Sequence, residues 1–278
     1  ARMSAGALYV QQADGKFSRS NMYSPSEADI ESEDMGAIFF DADGDGDQDL
    51  YVVSGGSDFP KDDKHFQDRL YINNGSALQK AENALPQMIS SGSAVAAADY
   101  DKDGDMDLLV GGRLIPGNYP VAARSYILQN NGGKFSDVTD KIAPGLTNAG
   151  LVSAVMWTDF DNDNAMDILV TGEWMPITFF RNEGGKFKNI TESAGLEKST
   201  GWWNSLTAGD FDNDGDIDYI AGNFGLNCRY KPKQKPIELF YDDYDKDGRH
   251  DIIMGYYQKD KLFPVKTRER MVEQMPVL

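Results

Sequence analysis

Apolar residues occur along the chain in short runs closed by Gly, Asn, Asp or Ser. Examples are "GAIFF" (36–40), "SAVAAA" (93–98), "LVSAVMWT" (151–158), "WNSLTAG" (203–209) and "IELFY" (237–241). Runs this brief, rich in Val, Ile, Phe, Tyr and Trp and bounded by turn formers, predict strands. A second set pairs an apolar strand with an Asn/Asp/Gly turn and another strand: "ALYVQQADGKFS" (7–18), "RLYINNGSAL" (69–78), "SYILQNNGGKFSDVT" (125–139) and "ITFFRNEGGKFKNIT" (177–191). These read as hairpins. "TRERMVEQM" (267–275) predicts a short helix begun by Thr267 and stopped by Pro276, capping the end of the chain.

Polar clusters interrupt the strands on a repeat. "DADGDGDQD" (41–49), "DYDKDGDMD" (99–107), "DFDNDNAMD" (159–167), "DFDNDGDID" (210–218) and "DYDKDGRHD" (243–251) share Asp at the first, third, fifth and ninth positions. Their first aspartates, Asp41, Asp99, Asp159, Asp210 and Asp243, lie 58, 60, 51 and 33 residues apart. Carboxylates brought within about 4 Å repel by roughly 4 kcal/mol per pair at an effective dielectric near 20. A cation among them turns repulsion into attraction. The seventh position reads Asp47, Asp105, Ala165, Asp216 and Arg249, so only its main-chain carbonyl is common to all copies. An oxygen-donor calcium loop uses its seventh residue in that way. The sixth position, Gly46, Gly104, Asn164, Gly215 and Gly248, holds residues that tolerate left-handed backbone.

The expected ligands are therefore Asp41, Asp43, Asp45 and Asp49; Asp99, Asp101, Asp103 and Asp107; Asp159, Asp161, Asp163 and Asp167; Asp210, Asp212, Asp214 and Asp218; and Asp243, Asp245, Asp247 and Asp251, each set with the carbonyl of its seventh residue. Four carboxylates, a carbonyl and water suit the six to eight oxygens of Ca²⁺ better than the tight octahedron of Mg²⁺. His250 falls at a non-ligand position, so zinc and copper are poor candidates. An EF-hand would need a bidentate Glu at the twelfth position, where this chain has Val52, Val110, Val170, Ala221 and Met254. Each ninth Asp instead enters an apolar segment, so each loop joins two strands.

Loop pair plus hairpin makes a four-stranded unit, and its period suits propeller blades. The repeat units run over 34–80, 92–140, 151–192 and 203–225, with half blades at 7–20 and 237–258 and an extension at 259–278. The fourth interval lacks a hairpin and holds the basic connector "NFGLNCRYKPKQKP" (223–236), which predicts an irregular blade. The last pair, 238–254, has no hairpin signal after it. The expected fold is all-β, a propeller with calcium-binding loops, as an incomplete or fragmentary ring.

The unit "D-x-D-x-D-G-x-x-D" followed by an apolar strand and an "NNGGKF"-type hairpin resembles the FG-GAP or VCBS repeat of integrin α-chain propellers and many bacterial extracellular proteins. The resemblance covers roughly residues 7 to 258. It implies one structural Ca²⁺ per loop, about five in all, between the first two strands of each blade. The third copy departs in Asn164 and Ala165 but lacks no side-chain ligand. "GWWNS", "GNFGLN" and "FPVKTRERMVEQMP" look like bacterial VCBS-repeat proteins that often carry an ASPIC/UnbV region. That region is not identifiable here, which suggests other domains in a longer parent chain.

The net charge of −18 argues against nucleic acid or anionic membrane as partner. The five windows carry 23 of the 45 acidic residues, and five Ca²⁺ would bring the charge to −8. No apolar run is long enough to span a bilayer, and the first residues lack signal-peptide architecture. Calcium loops of extracellular modules bind at about 10⁻⁴ to 10⁻³ M, which favours an extracytoplasmic setting, and the resemblance to bacterial VCBS-repeat proteins implies a bacterial one. The lone Cys228 excludes an internal disulfide and is expected as a buried thiol.

A non-catalytic binding or adhesion module for a protein or glycan fits these residues best. A carbohydrate-active lyase or hydrolase built on a propeller, and a purely structural domain of a larger protein, are the alternatives. His65 and His250 show no orienting partner in sequence, and a Ser/His/Asp triad has no support. Trp174, Trp202 and Trp203 are candidates for a ligand face, against packing between blades. Tyr256 and Tyr257 share that ambiguity. Asn74 and Asn189 match the glycosylation acceptor pattern within hairpins.

Overall fold

A computed structural model describes residues 5–225, 235–258 and 260–275. Cys228 and most of the 223–236 connector lie outside them.

The fold is all-β, an incomplete β-propeller. A hairpin of β1 (Tyr9–Gln11) and β2 (Phe17–Arg19) precedes the first full blade. That blade is β3 (Glu33–Phe40), β4 (Asp49–Gly55), β5 (Arg69–Asn73) and β6 (Leu78–Lys80), each antiparallel to the next. The second comprises β7 (Gly92–Ala98), β8 (Asp107–Gly112), β9 (Tyr126–Gln129) and β10 (Ser136–Asp137). The third comprises β11 (Leu151–Thr158), β12 (Asp167–Met175), β13 (Thr178–Asn182) and β14 (Phe187–Asn189). All four predicted hairpins are present. The fourth unit is the pair β15 (Gly201–Gly209) and β16 (Asp218–Asn223), without an outer hairpin among the described residues.

The last unit differs from the sequence expectation. β17 (Glu238–Asp242) pairs with β18 (Asp251–Gln258), and β18 runs on past Met254 to pair with β19 (Lys261–Pro264). A hairpin does follow the fifth pair. Its turn contains Asp260 at φ 63°, without the Asp-Gly, Asn-Gly or Gly-Gly signature that marks the other hairpins. The predicted terminal helix forms over Arg268–Gln274 with Thr267 at its N-cap. Two single-turn helices were not foreseen, Glu27–Ile30 and Thr139–Ile142. The first is closed by Ser26 and Asp29, whose side chains cap each other's backbone N–H groups.

Between blades, both faces of each central strand are covered, which explains their continuous apolar sequence. Leu108 and Val110 of β8 pack toward the first blade with Tyr51, Val53, Leu70 and Leu128. The alternate residue Leu109 packs toward the third blade with Ile127, Ile168, Val170 and Phe180. Period-two alternation thus points one strand into two cores. Trp157 stacks on Tyr100 in the second of these, with ring centroids 5.6 Å apart.

The inner strands β3, β7, β11 and β15 lie side by side. Each breaks register with its partner at one residue: Met35, Ser93, Ser153 and Asn204. Two of these bulges carry serines that reach the next blade. Ser93 Oγ donates to the Val152 carbonyl at 2.6 Å, and Ser153 Oγ to that of Trp203 at 2.7 Å. The first and second blades approach so closely that Gly55 pairs with Gly92, and a Cβ on Gly55 would lie 2.3 Å from the Gly92 carbonyl oxygen. On the far side of β15–β16, Phe211 and Ile220 are exposed.

Candidate metal centres

Every acidic window leaves the end of a first strand and delivers its ninth residue as the first residue of the next strand. Within the loops, the first aspartate is held by backbone N–H groups. Asp41 accepts from Gly44 (2.8 Å) and Gly46 (3.0 Å). Asp99 accepts from Asp103 and Gly104, Asp159 from Asp163 and Asn164, Asp210 from Asp214 and Gly215, and Asp243 from Asp247 and Gly248. The fifth aspartate takes the N–H of the seventh residue in every loop, at 2.7–3.0 Å.

The sixth residues all have positive φ, as their identity predicted. The fourth do as well: Gly44, Lys102, Asn162, Asn213 and Lys246 lie between 56° and 79°. This second left-handed step is not expected of Lys102 and Lys246, since lysine has no special tolerance for it. Two such left-handed residues per loop accompany the convergence of its first and third carboxylates.

The carboxylates that converge, with ligand oxygens all within 4.8 Å of one another, are Asp41, Asp43 and Asp45 in the first loop; Asp99, Asp101 and Asp107 in the second; Asp159, Asp161 and Asp167 in the third; Asp210, Asp212 and Asp218 in the fourth; and Asp243, Asp245 and Asp251 in the fifth. First and third positions thus meet in all five loops, joined by the ninth in four. The remaining expected side chains, Asp49 in the first loop and Asp103, Asp163, Asp214 and Asp247 in the others, stand outside these groups of three.

The ninth aspartates are also braces. Asp49, Asp107 and Asp167 are fully buried. One oxygen of each accepts from the second residue of its own loop: Ala42 (2.7 Å), Tyr100 (3.2 Å) and Phe160 (3.3 Å). The other accepts from the backbone of a hairpin asparagine: Asn73 (2.7 Å), Asn130 (2.8 Å) and Asn182 (2.7 Å). Those asparagines return a side-chain amide to the carbonyl of the loop's eighth residue, Gln48, Met106 or Met166. Their Oδ1 atoms accept from Gly75, Gly133 and Gly185 in the hairpin turns. Asn73, Asn130 and Asn182 are functional residues that sequence reasoning passed over as turn formers. Their signal was the Asn at, or just past, the end of each hairpin's first strand.

The electrostatics fit a cation. Burial raises the Asp49 carboxyl above its ordinary value. Burial, with Asp101 and Asp103 adding repulsion, lifts Asp107 to about 7. Asp167 rises to about 6 for the same reasons, its neighbours being Asp161 and Asp163. Asp47 Oδ1 and Asp251 Oδ2 are buried without a hydrogen-bond partner. Unsatisfied acceptor oxygens in an all-oxygen donor set fit a hard cation such as Ca²⁺. A bound ion would supply the positive charge these carboxylates lack and give Asp251 Oδ2, one of the converging three in the fifth loop, a partner.

The histidines depart from expectation in one respect. His65 does have orienting partners, Asp63 on Nδ1 (2.6 Å) and Glu31 on Nε2 (3.1 Å), and its ring stacks on Phe59 at 3.9 Å. With a carboxylate on each nitrogen, it is held as a structural clasp. His250 donates its backbone N–H to the Gly117 carbonyl at 3.4 Å.

The candidate tryptophans gather at the opposite end of β12 from its loop. Glu173 and Met175 pair with Trp202 and Gly201 around a bulge at Trp174, which takes φ 59°. The Trp174 ring lies 5.4 Å from Trp202, which stacks on Phe224 at 5.1 Å. Trp174 Nε1 donates to the Tyr119 hydroxyl (2.5 Å), which donates to Glu173 Oε2 (2.8 Å), and Arg113 Nη2 donates to Glu173 Oε1. Trp203 turns away to donate Nε1 to the Ser199 carbonyl at 3.0 Å. Tyr257 donates to Glu238 and lies under Lys235. Asn74 and Asn189 are exposed in their hairpins.

An arc of four-stranded blades with an acidic loop between first and second strands defines a repeat protein of the propeller class. The FG-GAP-like repeat family model matches residues 41–110 and 159–221, so the chain carries FG-GAP-like repeats over both segments. They contain the first four loops. No curated protein sequence matches. Among solved structures, the chain is similar to the V. cholerae biofilm matrix protein Bap1, at 19% identity and a TM-score of 0.43, over 84% of this chain and 37% of that one. It is also similar to an Agrocybe aegerita lectin that recognises non-reducing terminal N-acetylglucosamine, at 17% identity and a TM-score of 0.37, over 78% of this chain and 60% of that one. The chain thus spans less than two thirds of the length of either. No helix among the described residues is long and apolar enough to cross a membrane.

Proposed function

We propose that this chain is a calcium-stabilised, extracytoplasmic propeller module that binds a protein or glycan and carries out no catalysis, within a longer parent chain. The observation that carries it is the fivefold repetition of converging carboxylates braced by backbone N–H groups. In each loop the seventh carbonyl and the carboxylate outside the converging three complete the ligand set. Calcium loops of the weak extracellular kind are filled only where calcium is plentiful, which supports an extracytoplasmic setting. The non-catalytic part rests on the clustered aspartates being committed to loop geometry and on His65 being held at both nitrogens.

An ion bound only by the folded state stabilises it by mass action, about 2.7 kcal/mol for each site at a hundredfold excess over Kd. Chelation with EDTA is expected to lower the melting temperature clearly, and Ca²⁺ to restore it better than Mg²⁺. An unchanged melt would remove the calcium scaffold. Glycosidase or lyase turnover that survives Asp-to-Asn changes in the loops would remove the non-catalytic assignment.

A further inference from the structure

At the end of the blades away from the acidic loops, three aromatic rings stand beside a half-buried ion pair. Glu173 is six residues along β12 from Asp167, about 20 Å at roughly 3.3 Å per residue. Arg113 follows the end of β8, and Trp202 is near the start of β15, so strand ends from three blades meet here. Trp174, at φ 59°, occupies a backbone region that bulky residues rarely adopt. Bulges and such outliers collect where a side chain is aimed for a purpose. The aim here is a shelf of Trp174, Trp202 and Phe224. Phe224 remains 48% exposed.

The polar rim of the shelf narrows the ligand. Glu173 is only 3% exposed, and both its oxygens are taken, by Arg113 and by Tyr119. Arg113 keeps about a third of its side chain exposed and, among the described residues, its guanidinium donates only through Nη2, which leaves further N–H groups to donate. Arg113 and Glu173 cancel in charge. An anion would find no uncompensated positive charge and would meet the field of a chain at −18. A cation would find Glu173 already neutralised. What fits is neutral, with a C–H face to lie on aromatic rings and hydroxyls at its edge to accept from a guanidinium.

We infer that Arg113, Tyr119, Glu173, Trp174, Trp202 and Phe224 form a binding site for a neutral hexopyranose. It rests on the reading of the chain as a binding module and supplies the ligand class. The ring lies on the aromatic shelf, and Arg113 donates to its hydroxyls.

The test uses the whole chain in calcium on an array of neutral, uronic-acid and sialylated glycans, with affinities for the bound ones measured by calorimetry. Neutral glycans are expected to bind. Phe224→Ala, an exposed change, and Trp202→Ala are each expected to weaken binding at least tenfold, while the EDTA-induced melting shift stays that of the wild type. Preference for acidic glycans, or neutral binding unaffected by both substitutions, would overturn this site while leaving the binding module in place. Absence of any glycan binding with the melting shift intact would overturn the site and leave the calcium scaffold. Should Trp202→Ala fail to fold, Phe224→Ala and Arg113→Ala decide alone.

Discussion

Asn130 Nδ2 donates at 2.8 Å to the carbonyl oxygen of Ala42, which lies 88 residues earlier in the chain. Ala42 is the second residue of the first acidic loop, whereas Asn130 braces the second loop through Asp107 and Met106. One buried side chain therefore ties two neighbouring acidic loops. A similar tie joins the third and fourth loops, where Asn162 Nδ2 donates to Asp216 Oδ1 at 2.7 Å.

Replacing Asn130 with Ala leaves two carbonyls without this donor, at about 1–3 kcal/mol for each buried group left unsatisfied. A loss of roughly 2–6 kcal/mol is expected in chemical unfolding. Calcium titration of the variant should also show the first two sites filling with less mutual dependence than in the wild type.

Ligand and brace can be separated within one loop. Asp43 is exposed, so Asp43→Asn should change stability in EDTA by no more than about 0.5 kcal/mol. It should nonetheless weaken calcium binding in calorimetry. Asp49→Ala removes the acceptor of two backbone N–H groups and should destabilise the protein by several kcal/mol even without calcium. Equal effects of the two changes in EDTA would contradict the assigned division of labour.

Asp68 gives a pH signature away from the loops. Its buried carboxyl accepts from the Tyr51 hydroxyl and the Ser54 N–H, both at 2.7 Å, and burial lifts it to about 7. A carboxyl raised above its unfolded value of about 3.9 keeps its proton in the native state, so its contribution is full below pH 4 and fades as pH climbs through 7. Three pH units at about 1.36 kcal/mol each set an upper bound near 4 kcal/mol. Asp68→Asn carries no such penalty and should gain on the wild type between pH 5 and pH 8, measured by urea unfolding at each pH. A constant difference would exclude the shift.

Blade spacing can be probed with a single methyl group. Gly55→Ala places a Cβ against the Gly92 carbonyl and should cost about 1–3 kcal/mol by overpacking. Gly209→Ala, where a Cβ meets nothing within 4 Å, should be nearly neutral in the same thermal melts.

The loops, the four hairpins and the propeller class were legible because each is written locally, by aspartates at alternate positions or by glycine-bearing turns. What stayed hidden depends on neighbours distant in sequence. Asn73, Asn130 and Asn182 look like ordinary turn residues until the fold brings a ninth aspartate to their backbone. Ser93 and Ser153 are small strand residues whose role depends on the next blade. Lys102 and Lys246 adopt left-handed backbone because the loop's own hydrogen bonds outweigh a modest steric preference. β19 was missed because its turn has no glycine, and the Trp174 bulge because strand pairing alone sets it. The tryptophan candidates divided: two joined the shelf, and Trp203 went to the Ser199 carbonyl.

The amide hydrogens that grip the first and fifth aspartates of every loop, and the ninth of the first four, have a kinetic consequence. They hold each cradle's shape through the protein's own backbone, so an arriving ion has only to shed water and enter. Loading should then run at a rate set by dehydration and diffusion, and a module washed free of calcium should recover within a mixing time instead of waiting for the chain to refold.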